Sequence, residues 1–105
     1  MTEKKVRLTD VQIQAIRQAF KECFTNDDHL WIFGSRADLS KKGGDIDLYI
    51  ETELDVTQVL SAKLGFAKKL FLAFDDRKID IVVKYKSAKE QEIYKQATKN
   101  GVQIL

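Results

Sequence analysis

WIFGSRADLSKKGGDIDLYI, residues 31–50, joins an apolar run, a Gly-Ser step, a basic stretch and two aspartates one residue apart. Both ends read as strands. Residues 29–33 are aromatic and branched, which suits a buried strand. Asp45 to Ile50 alternates Asp, Ile, Asp, Leu, Tyr, Ile, which suits a second. Between them, Ala37 to Gly44 is polar with paired glycines and reads as a loop or short helix. So short a connection makes the two strands antiparallel neighbours, and places Gly34-Ser35 beside the acids.

Working outward, Thr9 with Gln12 has the form of a capping box, and Val11, Ala15, Ile16, Ala19, Phe20 and Cys23 recur at helical spacing, predicting a helix from about Asp10 to Phe24. Asp55 with Gln58 marks a second helix start, with Leu54 and Val59 as a hydrophobic staple. Val56, Leu60, Leu64, Ala67 and Phe71 form its main stripe. Phe66, Leu70, Leu72 and Phe74 include apolar residues beyond that stripe, an excess that marks either a two-sided core or a surface for a partner, and so small a sheet favours the partner. Ile79 to Val83 is a strand interrupted by Asp80. Ser87 with Glu90 opens a last helix, Asn100-Gly101 stops it, and Val102 to Leu105 adds an edge strand. The order αββαβα predicts an α/β (α+β) fold, a small mixed sheet of three to four strands flanked by helices, in a single domain spanning 1–105.

Side chains two apart in a strand point to one face about 7 Å from each other, so Asp45 and Asp47 project together. Two adjacent anions repel unless a proton or cation intervenes, and hard oxygen donors without His or Cys select Mg²⁺ or Mn²⁺. Asp80 stands where a sheet ordinarily carries another apolar side chain. With the second helix as a crossover, the strands of Asp47 and Asp80 lie parallel and adjacent, and three carboxylates then hold two metal ions about 4 Å apart. Gly34 lets backbone approach a ligand, Ser35 offers a hydroxyl and an amide, and Arg36, Lys41 and Lys42 add positive charge for a phosphate.

Gly34-Ser35, Asp45-Ile46-Asp47-Leu48 and Ile79-Asp80-Ile81 resemble the three motif elements of the DNA polymerase β-like nucleotidyltransferase superfamily. The small size is similar to its minimal nucleotidyltransferase (MNT) branch, whose members pair with HEPN-domain proteins. The resemblance implies transfer of a nucleoside monophosphate, AMP from ATP, to an acceptor hydroxyl. It assigns two Mg²⁺ ions to Asp45 and Asp47, one of them shared with Asp80, which also helps to deprotonate the acceptor. In such antitoxins the acceptor is a tyrosine of a HEPN ribonuclease toxin. Gly44 stands where many MNT sequences carry Ser, and Asp38-Leu39 where an Arg-Gly pair is common. Two alternatives remain: an antitoxin that neutralises its partner by binding alone, and a nucleotidyltransferase acting on a small molecule such as an aminoglycoside.

Composition narrows the classes further. Eighteen Lys and Arg against 16 Asp and Glu leave +2, so nucleic acid is not indicated as a partner. The single cysteine, Cys23, excludes an internal disulfide and reads as packing. Neither a secretory leader nor a membrane span is expected, which places the protein in the cytoplasm, as a homo- or hetero-oligomer. Phe20, Trp31 and Phe33 are read as core and His29 as structural or solvent-facing. Tyr49 is read as alternating away from the acids, structural, with self-modification as a minor alternative.

Overall fold

The computed structural model describes residues 8–33, 46–74 and 78–105. Its elements are α1 (Asp10–Cys23), β1 (His29–Phe33), β2 (Ile46–Glu51), α2 (Val56–Phe74), β3 (Ile79–Lys84), α3 (Glu92–Asn100) and β4 (Val102–Gln103). The sheet runs β3-β2-β1-β4, with β1 antiparallel to both β2 and β4, and β2 parallel to β3. The order and the mixed sheet are those expected from the sequence. No described helix is long and apolar enough to cross a membrane.

Local chemistry sets the first two helix starts. Thr9 N–H donates to Gln12 Oε1 at 2.8 Å and Gln12 N–H to Thr9 Oγ1 at 3.1 Å, satisfying two amides that the helix leaves over. Asp55 and Gln58 exchange the same pair of bonds at 3.1 and 2.8 Å at the start of α2. The third start differs from expectation. Ser87 adopts φ 71, which no N-cap does, and Glu90 pairs with Lys84 at 2.8 Å. The helix therefore begins at Glu92, with Gln91 as a cap that makes no side-chain bond. It ends at Gly101, where a Cβ would stand 2.9 Å from the Ile32 carbonyl oxygen; only glycine lets the chain pass that close to β1.

The sheet has two unequal faces. Ile46, Leu48 and Ile50 of β2 and Leu30 and Ile32 of β1 meet Ile16, Phe20, Phe66 and Leu70 of α1 and α2 in the main core. Phe20 stacks on Phe24 at 4.9 Å between centroids, and Phe66 meets both edge-on at 5.8 and 5.9 Å, each such pair contributing about 1 kcal/mol beyond burial. On the opposite face Trp31, Tyr49, Tyr94 and Ala97 form a smaller cluster under α3.

Two sequence readings are reversed. On α2 the buried residues are Val59, Phe66, Leu70 and Phe74, whereas Val56, Leu60, Leu64 and Phe71 face outward. Of the four residues assigned to a partner surface, Phe66, Leu70 and Phe74 are core and only Leu72 is exposed. Both sets recur at helical spacing, and the position of α1 and the sheet selects between them. Tyr49 lies on the same face as Asp47, since the two are two residues apart in one strand. It is fully buried, so its structural reading holds although its direction does not.

Candidate active site

The register aligns three residues in one row across the sheet. Phe33 of β1 is opposite Asp47 of β2, and Asp47 is opposite Asp80 of β3. Ile46 and Leu48 point into the main core, so Asp47 projects from the other face. Val82, two residues past Asp80, packs with the α3 cluster, which places Asp80 on that face too. Neighbouring strands are about 4.8 Å apart, so the two carboxylates are within reach of a single shared cation. Asp80 is exposed and Asp47 half-buried. The expectation that Asp80 takes the place of an apolar side chain is thus corrected: its neighbours Ile79 and Ile81 lean on the core while Asp80 faces out from an edge strand.

Asp45, Gly34, Ser35, Arg36, Lys41 and Lys42 lie outside the described residues. They belong to the segment 34–45 that joins Phe33 to Ile46, and so connects the strand ends bearing the row of acids. Among the described residues, no group of three metal-ligating side chains is gathered. Asp47 and Asp80 form the described part of the site.

The next row is Trp31, Tyr49 and Val82, and the third is His29, Glu51 and Lys84. The Tyr49 ring stacks on Tyr94 at 5.6 Å and meets Trp31 at 5.3 Å, forming an aromatic floor beside the acids. Tyr49 O–H donates to Glu51 Oε2 at 2.8 Å. Burial, and then the bond to Glu51, push its phenol far above the ordinary tyrosine range. A hydroxyl so enclosed and engaged is a support for the site and not a nucleotide acceptor. Lys84 bonds Glu90 at 2.8 Å and lies 5.8 Å above the Tyr94 ring; the Glu90 carboxylate holds its ammonium above the usual lysine value. Sequence reasoning missed this floor, although the signal was present: Tyr49 and Glu51 share the parity of Asp47, and Lys84 that of Asp80.

Other candidates are structural. A cleft of about 250 Å³ lies at the far end of the strands, lined by Asp27, Asp28, His29, Glu51, Thr52, Glu53, Lys84 and Tyr85. The buried Asp28 accepts from Thr25 N–H at 2.9 Å and from Glu53 N–H at 3.4 Å, which ties two loops together. Cys23 stands against Gly65 in the contact of α1 with α2, and burial pushes its thiol up, in keeping with packing.

No curated protein matches this sequence. Residues 13–104 match the profile of the Nucleotidyltransferase domain family, a stretch that runs from the first helix to the last strand and contains every candidate site residue. With that match over most of its length and an acid row in register on one face of a mixed sheet, the chain belongs to the nucleotidyltransferase domain family, whose chemistry is nucleotidyl transfer.

Proposed function

We propose that the protein moves AMP from ATP to a hydroxyl of a protein partner, a tyrosine of a HEPN ribonuclease toxin, and so acts as a cytoplasmic antitoxin. The observation that carries the chemistry is the alignment of Asp47 with Asp80 on one sheet face, at the end where residues 34–45 join the strands. Two carboxylates side by side with no His or Cys among them are a hard-oxygen donor set that fits Mg²⁺. The partner and the adenylyl specificity rest on the motif resemblance.

On this reading Asp45, Asp47 and Asp80 would hold two Mg²⁺ ions. Such ions would supply neutralisation of charge on the α-phosphate and on the departing pyrophosphate. Gly34 and Ser35 bind the triphosphate through backbone and hydroxyl donors, with Arg36 and Lys42 pairing its charge. The acceptor oxygen forms a bond to the α-phosphorus as the bond to the β-phosphate oxygen breaks. Asp80 takes the acceptor proton, and pyrophosphate leaves.

Incubation with α-labelled ATP, Mg²⁺ and a candidate HEPN-domain partner tests the reading. Label on the partner, and a mass gain of one AMP on a partner tyrosine that is lost with Asp47→Asn, is the expected outcome. Absence of label, or equal labelling by Asp45→Asn and Asp47→Asn, overturns it. Protection by a triple Asp to Asn variant identifies neutralisation by binding alone instead.

A further inference from the structure

The reversed stripe on α2 and the outer edge of the sheet lie on the same side of the molecule. Gly65 and Lys69 face α1: a Cβ on Gly65 would stand 3.4 Å from Cys23 Sγ, and Lys69 Nζ lies 2.8 Å from Glu22 Oε1. Val59, Phe66 and Leu70 point to the sheet. At about 100° per residue, Leu60, Leu64 and Phe71 lie on the side of the helix opposite Lys69, away from α1. These three side chains are 61%, 71% and 65% exposed. Because α2 connects β2 to the outermost strand β3, that side overlooks the free edge of β3.

Among the described residues the edge is equally uncovered. Lys78 and Lys84 carbonyls accept from Ile46 and Thr52 N–H at 2.8 and 3.0 Å, so the even-numbered residues of β3 turn their backbone groups toward β2. Alternation leaves the N–H and C=O groups of Ile79, Ile81 and Val83 directed outward. Among the described residues no strand pairs with them, and β3 carries no proline; its charges, Asp80 and Lys84, stand on the α3 face, leaving Ile79, Ile81 and Val83 on the other.

We infer that the protein forms a two-fold dimer in which β3 pairs antiparallel with β3 of a second copy, and the Leu60, Leu64 and Phe71 stripes of the two α2 helices pack against each other. Charge selects the register. Outward residues pair only with outward residues, which leaves two registers that overlap most of the strand. Ile81 opposite Ile81 sets Lys78 against Lys84 of the second copy. Ile81 opposite Val83 places Val82 on the axis and sets Asp80 opposite Lys84, so that within the strand opposite charges face each other, and Lys78 and Lys86 meet only beyond its ends. The stripe exposes on the order of 400 Å² of apolar surface per copy, in the range of functional patches. With the strand edges added, two copies bury on the order of 1,200 Å², the lower bound of standard interfaces. One operation thus covers both the open edge and the apolar stripe.

Sedimentation equilibrium at tens of micromolar tests this, with a mass twice the 12.1 kDa of the chain expected. Leu64→Glu, which touches neither core nor acids, is expected to halve the mass with an unchanged circular dichroism spectrum. Under oxidation Val82→Cys is expected to give a covalent dimer on a non-reducing gel, and Ile81→Cys none, because only a residue on the axis meets its own copy. A 12.1 kDa mass for the unaltered protein overturns the proposal, including the case where the stripe takes up a different protein. So does a dimer that survives Leu64→Glu, or cross-linking by Ile81→Cys in place of Val82→Cys.

Discussion

The two faces of the sheet divide the work of the molecule. Beneath α1 and α2, consecutive rows of β1 and β2 are aliphatic and fully buried, closed by three interlocked phenylalanines. Beneath α3, the rows grade from Trp31 and Tyr49 to acids at one end and charged residues at the other. One face is built for burial, the other for holding charge at a fixed place. The same strands serve both because side chains alternate, so Ile46 and Leu48 anchor the backbone that aims Asp47.

Substitutions on the two faces should therefore separate activity from stability. Asp80→Asn and Asp47→Asn are each expected to lower nucleotidyl transfer by about 10³-fold, with a melting temperature within a degree or two of the parent. A melting curve that falls with activity would merge the two roles. Phe66→Ala attacks the other face and is expected to cost about 3–5 kcal/mol in urea unfolding, while the protein that remains folded keeps its turnover.

A smaller effect sharpens the boundary between the faces. Tyr49→Phe removes the bond to Glu51 and is expected to cost about 1 kcal/mol at neutral pH. Because the folded protein holds the Tyr49 phenol protonated above its ordinary range, it binds more protons than the unfolded chain in alkali. Stability from Tyr49 is then full below about pH 10 and declines as pH rises past it. Tyr49→Phe should flatten that alkaline decline, measured by unfolding between pH 8 and 11. Least affected is the exposed Glu22–Lys69 pair, where Glu22→Gln should leave the melting temperature unchanged within error and differ from the parent only at low salt.

What was legible in the sequence was what local chemistry decides. The capping boxes at Thr9 and Asp55 form within four residues and required no knowledge of the rest of the chain. The Ser87 and Glu90 pair has the same form and fails, because Lys84, three residues before Ser87, captures Glu90 from the adjoining strand. On α2, two apolar sets share the helical period, and periodicity cannot say which one the sheet covers. Asp47 and Asp80 were legible because alternation and a parallel crossover suffice to align them. Tyr49, by contrast, was assigned to the wrong side of its own strand, a matter of parity. Asp45, Gly34, Ser35, Arg36 and Lys42 fall on residues the structure leaves undescribed, so their part of the site rests on sequence.

The parallel pairing of β2 with β3 has a kinetic consequence. Asp47 and Asp80 come from strands separated by the whole of α2, so the acid row cannot exist in any locally formed fragment. It appears only when the crossover closes, a non-local contact that pays loop entropy before it returns any stabilisation. Regain of nucleotidyl transfer during refolding should therefore lag behind the recovery of helical signal, which makes catalysis itself a clock for the docking of β3.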